Sequence, residues 1–479
     1  MNAVMFTPMP PTRTGVAHYS SILAPALRER VGLQVISSPD ELRRQPATGN
    51  RNPIYHLGNN PHHEWIYSEA MRTPGVIVLH DYVLHHLIVE MTLARGDVEA
   101  YVAALEANHG AAGAAWARGR AVGLHSEIGN FLLPASVVAA NRSRAVIVHN
   151  QYAADRLQSF GVKTPIHVIG HPYVHDAVRH DRDGLRRRLG FGARERVIGF
   201  FGFLTSAKRA EVILEAFARA RQRDAGLRLL VVGEPAPNID VAALQRDGVV
   251  FTGYVPDEDF ASYYAVADRF VNLRYPSAGE TSGTLIRALD SGKPVAVSEY
   301  AQFAELPDSC VVKIPFGEGE VSALAEFFVA DIPSPAEAQR EWLEANARVD
   351  RVAGAYVGVL SGAPAPSPVR RAAEVGGATL NLFPSVRATY DGGSFLFRNE
   401  GNAAIRTHVY GEPGYRVIVK LFADGVEVQN RWIELPRDLA PGETARVSID
   451  TGHATRATLH HALQGIPVVD RKPFAELQL

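Results

Sequence analysis

Residues 270–290 read FVNLRYPSAGETSGTLIRALD, and this stretch decides the fold class. The apolar run 270–273 is typical of a buried strand, and 285–290 has the apolar spacing of a helix. Between them, Ser282 is a typical helix N-cap residue, and Gly283 allows the backbone to approach a ligand closely. A strand, a tight turn and a helix together form part of a βαβ unit, the building block of parallel sheets.

The same alternation of short β-branched runs and amphipathic segments extends over about the first 330 residues. Strands are predicted at 4–7, 53–56, 76–79 and 145–148, and again at 197–202, 227–232, 249–252, 270–273 and 294–298. A charged segment around 176–195 separates the two groups. We therefore predict an α/β protein with two doubly wound, Rossmann-like domains, at residues 1–175 and 176–360, the second ending in a closing helix within 335–360.

The pattern changes after residue 360. Residues 361–377 are rich in proline and alanine, which is typical of an extended linker. From residue 378 to 479, short alternating runs are separated by turn signals such as APG at 440–442, without helical segments between them. This part is predicted to be an all-β sandwich, whose role the sequence leaves open.

Composition excludes several classes of protein. The chain has 479 residues, a formal net charge of −2 and one cysteine, Cys310. Nucleic-acid binding usually leaves a basic excess, and a disulfide or a zinc site with paired thiolates needs more cysteines. We see neither a signal peptide nor a membrane-spanning run, so we expect a cytoplasmic protein, with contact to the inner face of the membrane or to a partner enzyme left open.

Polar residues follow the predicted strands of the first domain, where ligands of open parallel sheets bind. Gly15 begins a helix after the first strand, Asn60 follows the second, and His80 and Asp81 follow the third. His171 stands near the end of the domain. The nearby histidines raise a metal hypothesis, but none has the His-Glu-x-x-His spacing. A polar cleft that binds a hydroxyl-rich ligand is the preferred interpretation, with Asn60, Asp81 and His171 as candidates for acceptor or sugar contacts.

The second domain offers two anion sites. Lys208 stands at a helix entrance after the strand at 197–202, where its charge adds to the helix dipole. In the turn after 270–273, Ser282 as a cap and Gly283 as a position of close approach indicate a second anion site lined by backbone amides at a helix N-terminus. Two anion sites opposite a polar cleft suggest a diphosphate joined to a hydroxyl-rich group, so a nucleotide sugar is the natural ligand.

The order of these motifs resembles family 4 of the retaining glycosyltransferases, which have the GT-B fold, over about residues 1–360. The resemblance is carried by PPTRTGVAHY at 10–19, VLHD at 78–81, VIVHN at 146–150, VFTGYVPD at 250–257 and GKPV at 292–295. The form GETS at 279–282 is similar to that of a subgroup. Each motif is common, but their order is specific.

The resemblance implies roles for individual residues. His80, Lys208 and Glu280 would be the catalytic residues, with His80 near the donor sugar, Lys208 on the diphosphate and Glu280 approaching the sugar hydroxyls. Donor-binding positions would be Gly15, Tyr254, Val255, Asp257, Thr281, Ser282, Gly283 and Thr284. The co-substrate would be a nucleotide sugar, the acceptor a glycan or lipid-linked sugar, and no metal or other cofactor would be needed.

Two motifs depart from the family pattern. When the sequences are aligned on GKP at 292–294, Gly279 and Arg287 occupy the places of two glutamates spaced eight residues apart, and Glu280 comes one residue late. Phe203 stands where the family has an arginine. Two other functions stay open: a nucleotide-sugar epimerase, which needs carboxylates beside the sugar, and a non-catalytic sugar- or glycan-binding protein, suggested by Arg287 and the C-terminal domain.

Overall fold

A computed structural model of the chain describes residues 1–44, 51–175, 180–235, 246–317, 319–362 and 385–479, apart from 125, 127, 402–403, 406, 408–413, 464–467 and 470–472. Helices and strands alternate over the first 360 residues. The α-helices described are α1 (Gly15–Arg28), α2 (Pro39–Arg44), α3 (Glu64–Arg72), α4 (His85–Met91), α5 (Val98–Ala121), α6 (Gly129–Leu132), α7 (Val137–Arg142), α8 (Gln151–Ser159), α9 (Arg182–Arg188), α10 (Ala210–Arg223), α11 (Asp257–Val266), α12 (Gly283–Asp290), α13 (Glu320–Val329), α14 (Ala336–Asn346) and α15 (Val349–Leu360).

The first six strands form a parallel sheet with the order β2-β1-β3-β4-β5-β6. They are β1 (Asn2–Phe6), β2 (Gly32–Ile36), β3 (Asn52–Leu57), β4 (Val76–Leu79), β5 (Ala145–Val148) and β6 (Ile166–Val168). Helices pack on both faces of the sheet, which explains why its central strands are apolar throughout. The strand order reverses between β1 and β3, so a crevice opens at the carboxyl ends of these strands.

The next six strands form a second parallel sheet with the order β12-β11-β10-β7-β8-β9. They are β7 (Arg196–Phe201), β8 (Leu227–Val232), β9 (Val249–Phe251), β10 (Arg269–Asn272), β11 (Val295–Ser298) and β12 (Val312–Ile314). Here the order reverses between β7 and β10. The prediction of two doubly wound, Rossmann-like domains is confirmed.

Three strands were missing from the sequence prediction, namely β2, β6 and β12. Each is short or lies at the edge of its sheet, and each contains a polar residue, such as Lys313 in β12. Residues of β2 and β12 are mostly half-buried, so no continuous apolar run marks them. In the charged segment, helix α9 exposes Arg187 and Arg188, whereas Arg186 is 3% exposed and donates hydrogen bonds to Val266 O and Asp268.

The stretch 335–360 forms two helices, α14 and α15, instead of one closing helix. The chain leaves the helical path at Ala347 and Arg348, because the Ala347 carbonyl accepts a hydrogen bond from Tyr173 N (2.7 Å) and Arg348 bridges to Tyr173. Helix α15 then packs into the core of the first domain, where the hydroxyls of Tyr19 and Tyr356 lie 2.6 Å apart. The last helix before the C-terminal part thus packs against α1, the first helix of the chain.

The C-terminal part contains antiparallel strands, as predicted. One sheet has the order β13-β14-β17 and the other β16-β15-β18-β19, with β20 paired to β18. The strands are β13 (Val386–Asp391), β14 (Ser394–Asn399), β15 (Tyr415–Ala423), β16 (Val426–Glu434), β17 (Thr444–Ser448), β18 (Arg456–Leu463), β19 (Val468–Val469) and β20 (Ala475–Gln478). Both sheets contribute side chains to one apolar core, including Phe397 and Val419. Most of the predicted linker lies outside the described residues.

Candidate active site in the cleft between the two domains

Lys208 lies at the carboxyl end of β7, as the sequence predicted for a residue after that strand. Its Nζ donates a hydrogen bond to Phe201 O at 3.1 Å. A Cβ atom built on Gly202 would lie 2.6 Å from Lys208 Nζ and 3.1 Å from Thr284 Cγ2. The ammonium group is therefore beside the first turn of α12, where the helix dipole also favours an anion.

Arg274 and Glu280 complete a charged cluster around Lys208. Arg274 Nε lies 2.9 Å from Glu280 Oε1, and Glu280 Oε2 accepts hydrogen bonds from Ala278 N (2.8 Å) and Ser277 Oγ (3.2 Å). Burial and the positive charge of Arg274 lower the pKa of Lys208 well below its usual value, although Glu280 opposes this shift. The Glu280 carboxylate braces the 274–284 loop, and its predicted contact with sugar hydroxyls stays a prediction.

The N-terminus of α12 has the cap that the sequence predicted. Ser282 Oγ accepts a hydrogen bond from Leu285 N at 3.3 Å. Asn272, the last residue of β10, donates from Nδ2 to both Ser282 Oγ and Thr284 Oγ1 at 3.1 Å. The cap residues are thus held from the neighbouring strand, and the backbone of Gly283 stays open on the side facing the cleft, where a Cβ would approach only His171 Nε2, at 3.9 Å.

The 274–284 loop also contacts the first domain directly. Gly279 has φ of +74°, and its carbonyl accepts a hydrogen bond from Asn150 Nδ2 at 2.7 Å. The preceding carbonyl, of Ala278, accepts from Tyr82 N at 2.8 Å. Asn150 Oδ1 simultaneously caps α8 by accepting from Ala153 N at 2.9 Å. One side chain of the first domain therefore orients both its own helix and the loop of the second.

A second contact joins the domains at the same helix. The carboxylate of Glu305 lies at the N-terminus of α8, where it accepts hydrogen bonds from Gln151 N (3.1 Å) and Tyr152 N. A carboxylate at this position is favoured by the unpaired amides and by the helix dipole. Together with Asn150, this contact joins the two domains.

On the first-domain side of the cleft, Asp81 follows β4. Its Oδ2 accepts a hydrogen bond from Asn59 N at 2.8 Å. Burial is the main reason that its pKa rises to about 7, and the negative charge of Glu280 across the cleft adds to the shift. The structure thus brings Asp81 into the electrostatic environment of the Lys208, Arg274 and Glu280 cluster, as the paired strand-end motifs suggested.

His80 lies in a row of three buried imidazoles. His149 Nδ1 donates to Ile169 O (2.9 Å), so its Nε2 accepts from His80 Nδ1 (3.1 Å), and His80 Nε2 in turn accepts from His56 Nδ1 (3.0 Å). Burial lowers the pKa of each ring, to about 3 for His56 and about 4 for His149, which favours neutral imidazoles. The catalytic role of His80 stays a prediction, and a proton transfer at its ring would require breaking this row.

Three other predicted residues lie at the strand ends. Gly15 is exposed at the start of α1, whose N-cap Thr14 accepts from Ala17 N at 3.1 Å. Asn60 Oδ1 caps the short 3-10 helix Pro61–His63. His171 is buried against Tyr19, with ring centroids 5.0 Å apart.

The predicted donor-binding residues after β9 differ in exposure. Tyr254 is 48% exposed, and the guanidinium carbon of Arg13 stands 4.2 Å from the centre of its ring. Val255 is buried in the second-domain core, and Asp257 begins α11. The stacking of Arg13 on Tyr254 brings the loop after β1 against the second domain.

Sequence reasoning missed two arginines of the cleft or gave them no role. Arg274 stands two residues after the end of β10, and this position was the signal that could have identified it. Arg287, in α12, donates from Nη2 to His18 Nε2 of α1 at 2.9 Å and lies over the ring of Phe260. That pairing across the domains depends on tertiary structure and has no local signal.

A cavity reaches the N-terminus of α12, although Lys208, Arg274 and Glu280 do not line it. This cavity of about 560 Å³ between the domains is lined by His149, His171, Thr281, Ser282 and Trp342, among others. Within the described residues, no group of three or more His, Cys, Asp or Glu side chains is arranged to hold a metal ion. The histidine row explains why, because its ring nitrogens bond to one another in a line and do not converge on one point.

Two doubly wound domains that face each other across a cleft define the GT-B fold. Solved structures share it. HepE from Anabaena, crystallised with UDP and glucose, has 16% sequence identity, with a TM-score of 0.55 over 76% of this chain and 100% of that chain. Sucrose-phosphate synthase from Thermosynechococcus elongatus has 17% identity and a TM-score of 0.51 over 76% and 99% of the two chains.

The second domain is also similar in sequence to known glycosyltransferases. The family model described as "Glycosyl transferases group 1" matches residues 195–330. Curated relatives include mannosylfructose-phosphate synthase of Agrobacterium fabrum, 31% identical over 30% of this chain and 34% of that protein. Alpha-monoglucosyldiacylglycerol synthase of Streptococcus pneumoniae is 28% identical over 31% and 36% of the two chains. The match thus spans about a third of the length of these relatives.

In the ranges described, we find no helix long and apolar enough to span a membrane.

Proposed function

We propose that this chain is a retaining, metal-independent glycosyltransferase that moves a sugar from a nucleotide-sugar donor to a hydroxyl acceptor. The observation that carries the proposal is the position of Lys208 beside the N-terminus of α12, at the point where the strand order of the second sheet reverses. Cations and free amides at such a point favour a diphosphate. Thr281 and Ser282, at that N-terminus, line the cavity between the two domains.

The first domain supplies the polar side that a sugar and an acceptor need. Asp81 faces the charged cluster, and His171 lies near the N-terminus of α12. The names of the matched relatives support sugar transfer, and one of them makes a glucosylated lipid. We propose a glycan or lipid-linked acceptor and a role in surface polysaccharide or glycoconjugate biosynthesis.

The proposed reaction proceeds on one face of the donor sugar. The bond between the anomeric carbon and the β-phosphate oxygen breaks, and its electron pair stays on the diphosphate. The acceptor oxygen bonds to the anomeric carbon from the same face and passes its proton to the departing phosphate oxygen. Lys208 and the α12 amides stabilise the developing charge, which is the task that a metal performs elsewhere.

A panel of nucleotide sugars tests this function. Release of nucleoside diphosphate that depends on the acceptor supports it, provided that the glycosidic product has the same anomeric configuration as the donor. Isomerised donor identifies an epimerase, and binding without turnover identifies a sugar-binding protein. Intact-mass measurement with donor alone tests the mechanism, since a covalent glycosyl adduct on the protein contradicts it.

Two substitutions test the assigned site. Lys208→Ala and Glu280→Ala are expected to lower turnover about 100-fold, the usual effect of losing a group that stabilises transition-state charge. The matched control is Lys313→Ala on β12, which removes the ion pair between Lys313 and Asp308 and should keep wild-type turnover. Full activity of both Lys208→Ala and Glu280→Ala refutes the site.

A further inference from the structure

Arg274 is a largely buried cation in the cleft whose hydrogen-bonding capacity is almost unused. Its side chain is 12% exposed, and its backbone N–H donates to Ser298 Oγ at 2.9 Å, which fixes the point where it leaves β10. The Nε atom is 2.9 Å from Glu280 Oε1, but its N–H does not point along that line. Among the residues that the structure describes, no group accepts a hydrogen bond from the guanidinium.

Lys208 and Arg274 are two cations that face two carboxyl groups, those of Glu280 and Asp81, and burial raises the pKa of the Asp81 group to about 7. Lys208 and Arg274 lie close enough for their charges to repel, and both are partly buried. Glu280 is the carboxylate in contact with Arg274, and its second oxygen already accepts from Ala278 N and Ser277 Oγ. Unused guanidinium donors beside an ammonium group and a helix N-terminus suit a ligand with more than one negative charge.

The register of the second sheet relates Arg274 to Phe203. Strands β7 and β10 are parallel neighbours, and Phe200 lies opposite Val271. Phe203 and Arg274 each stand three residues beyond that pair, so they leave the sheet at the same level on adjacent strands. Phe203 is 50% exposed and offers no donor to an anion. A cation after β10 can therefore contact a ligand in the same region that a cation at position 203, after β7, would otherwise contact.

We propose that Arg274 is a donor-binding residue that binds the diphosphate of the nucleotide sugar together with Lys208, in place of a cation at position 203. This inference rests on the proposed function, because it names a further contact in the same site. The planar guanidinium matches two phosphate oxygens at once, which a single ammonium group does not do. Arg274 then distinguishes a nucleoside diphosphate from a monophosphate.

The test compares diphosphate and monophosphate binding by isothermal titration calorimetry. UDP, GDP, ADP and dTDP are titrated into the full chain, and the tightest is compared with its monophosphate. In Arg274→Met, the diphosphate preference, meaning the ratio of the two dissociation constants, should fall about 10- to 100-fold, as expected for lost hydrogen bonds to a charged group. Arg274→Lys, which keeps the charge beside Glu280, should retain an intermediate preference.

A second-site change makes the test specific. Adding Phe203→Arg to Arg274→Met should restore at least about tenfold of the lost preference, since it returns a guanidinium to the neighbouring strand end. Arg228→Met, which removes a half-buried ion pair with Glu195 at the start of β8, is the control for loss of an arginine and should leave the preference unchanged.

The outcomes separate this inference from the proposed function. Wild-type protein that binds none of the diphosphates contradicts the proposed function itself. Wild-type protein that binds one, with a preference in Arg274→Met within twofold of wild type, overturns only the role of Arg274. If Arg274→Met loses the diphosphate preference and the added Phe203→Arg does not restore it, the claim that Arg274 takes the place of a cation at position 203 is wrong.

Discussion

Replacing Gly279 by alanine should weaken the contact between the two domains at the cleft more than it lowers the stability of the fold. Gly279 has φ of +74°, in the left-handed region that favours glycine. An added Cβ would lie 2.7 Å from Tyr82 Cδ1 and 3.1 Å from Ala153 Cβ, both in the first domain. The substitution therefore strains the loop and pushes against the facing domain.

The size of the effect follows from these two contributions. A left-handed conformation costs a residue with a Cβ about 1 to 2 kcal/mol. Crowding of a packed contact adds about 1 to 3 kcal/mol. The crowding is relieved when the loop moves away from Tyr82, so it opposes the closed state more than it opposes folding. A penalty of about 2 kcal/mol on closure corresponds to roughly a 30-fold loss of the catalytically competent population.

Gly190 provides the matched control. It has φ of +77° just beyond α9, and a Cβ there would meet nothing within 4 Å. We expect Gly190→Ala to lower the thermal midpoint slightly and to keep wild-type kcat/KM, whereas Gly279→Ala loses at least about tenfold in kcat/KM with a similar midpoint change. Equal kcat/KM values for the two variants would refute the view that the loop works against the first domain.

Two further predictions concern the first domain. Asn150→Asp keeps the oxygen that caps α8 but places a carboxylate against the Gly279 carbonyl, so kcat/KM should fall about tenfold with little change in the thermal midpoint; unchanged kinetics would contradict the bridging role. Asp81 has a folded-state pKa of about 7, above its unfolded value, so its contribution to stability is present below about pH 4 and is lost as pH rises to about 7. The midpoint of Asp81→Asn should therefore decline less than that of wild type across this window, and identical pH profiles would show that Asp81 does not carry the raised pKa.

The architecture was readable because buried parallel strands are continuous apolar runs. The predicted strands at 76–79, 145–148 and 227–232 coincide with β4, β5 and β8. Strands that lie at sheet edges, such as β2 and β12, mix polar and apolar residues and gave no such run. The helix signals were good where a cap was present, as at Ser282, but the division between α14 and α15 depends on a contact with Tyr173 that lies far away in sequence.

The candidate site was only partly readable. Residues in the segments that follow strands, such as Lys208 and Asp81, were found because a parallel sheet brings its strand ends together. The partners of these residues were not. Nothing in the local sequence around His80 indicates that both ring nitrogens bond to His56 and His149.

The amino-acid sequence alone determined the class of fold, the cap at Ser282 and the presence of a charged, amide-rich turn, because hydrophobic period and capping act over a few residues. Tertiary structure decided how that turn is used. Glu280 is directed back onto Arg274, and the Gly279 carbonyl is directed to Asn150, a residue 129 positions earlier in the chain. The first contact depends on how the loop after β10 folds back, and the second forms only when the two domains pack together, so neither is encoded in a local sequence pattern.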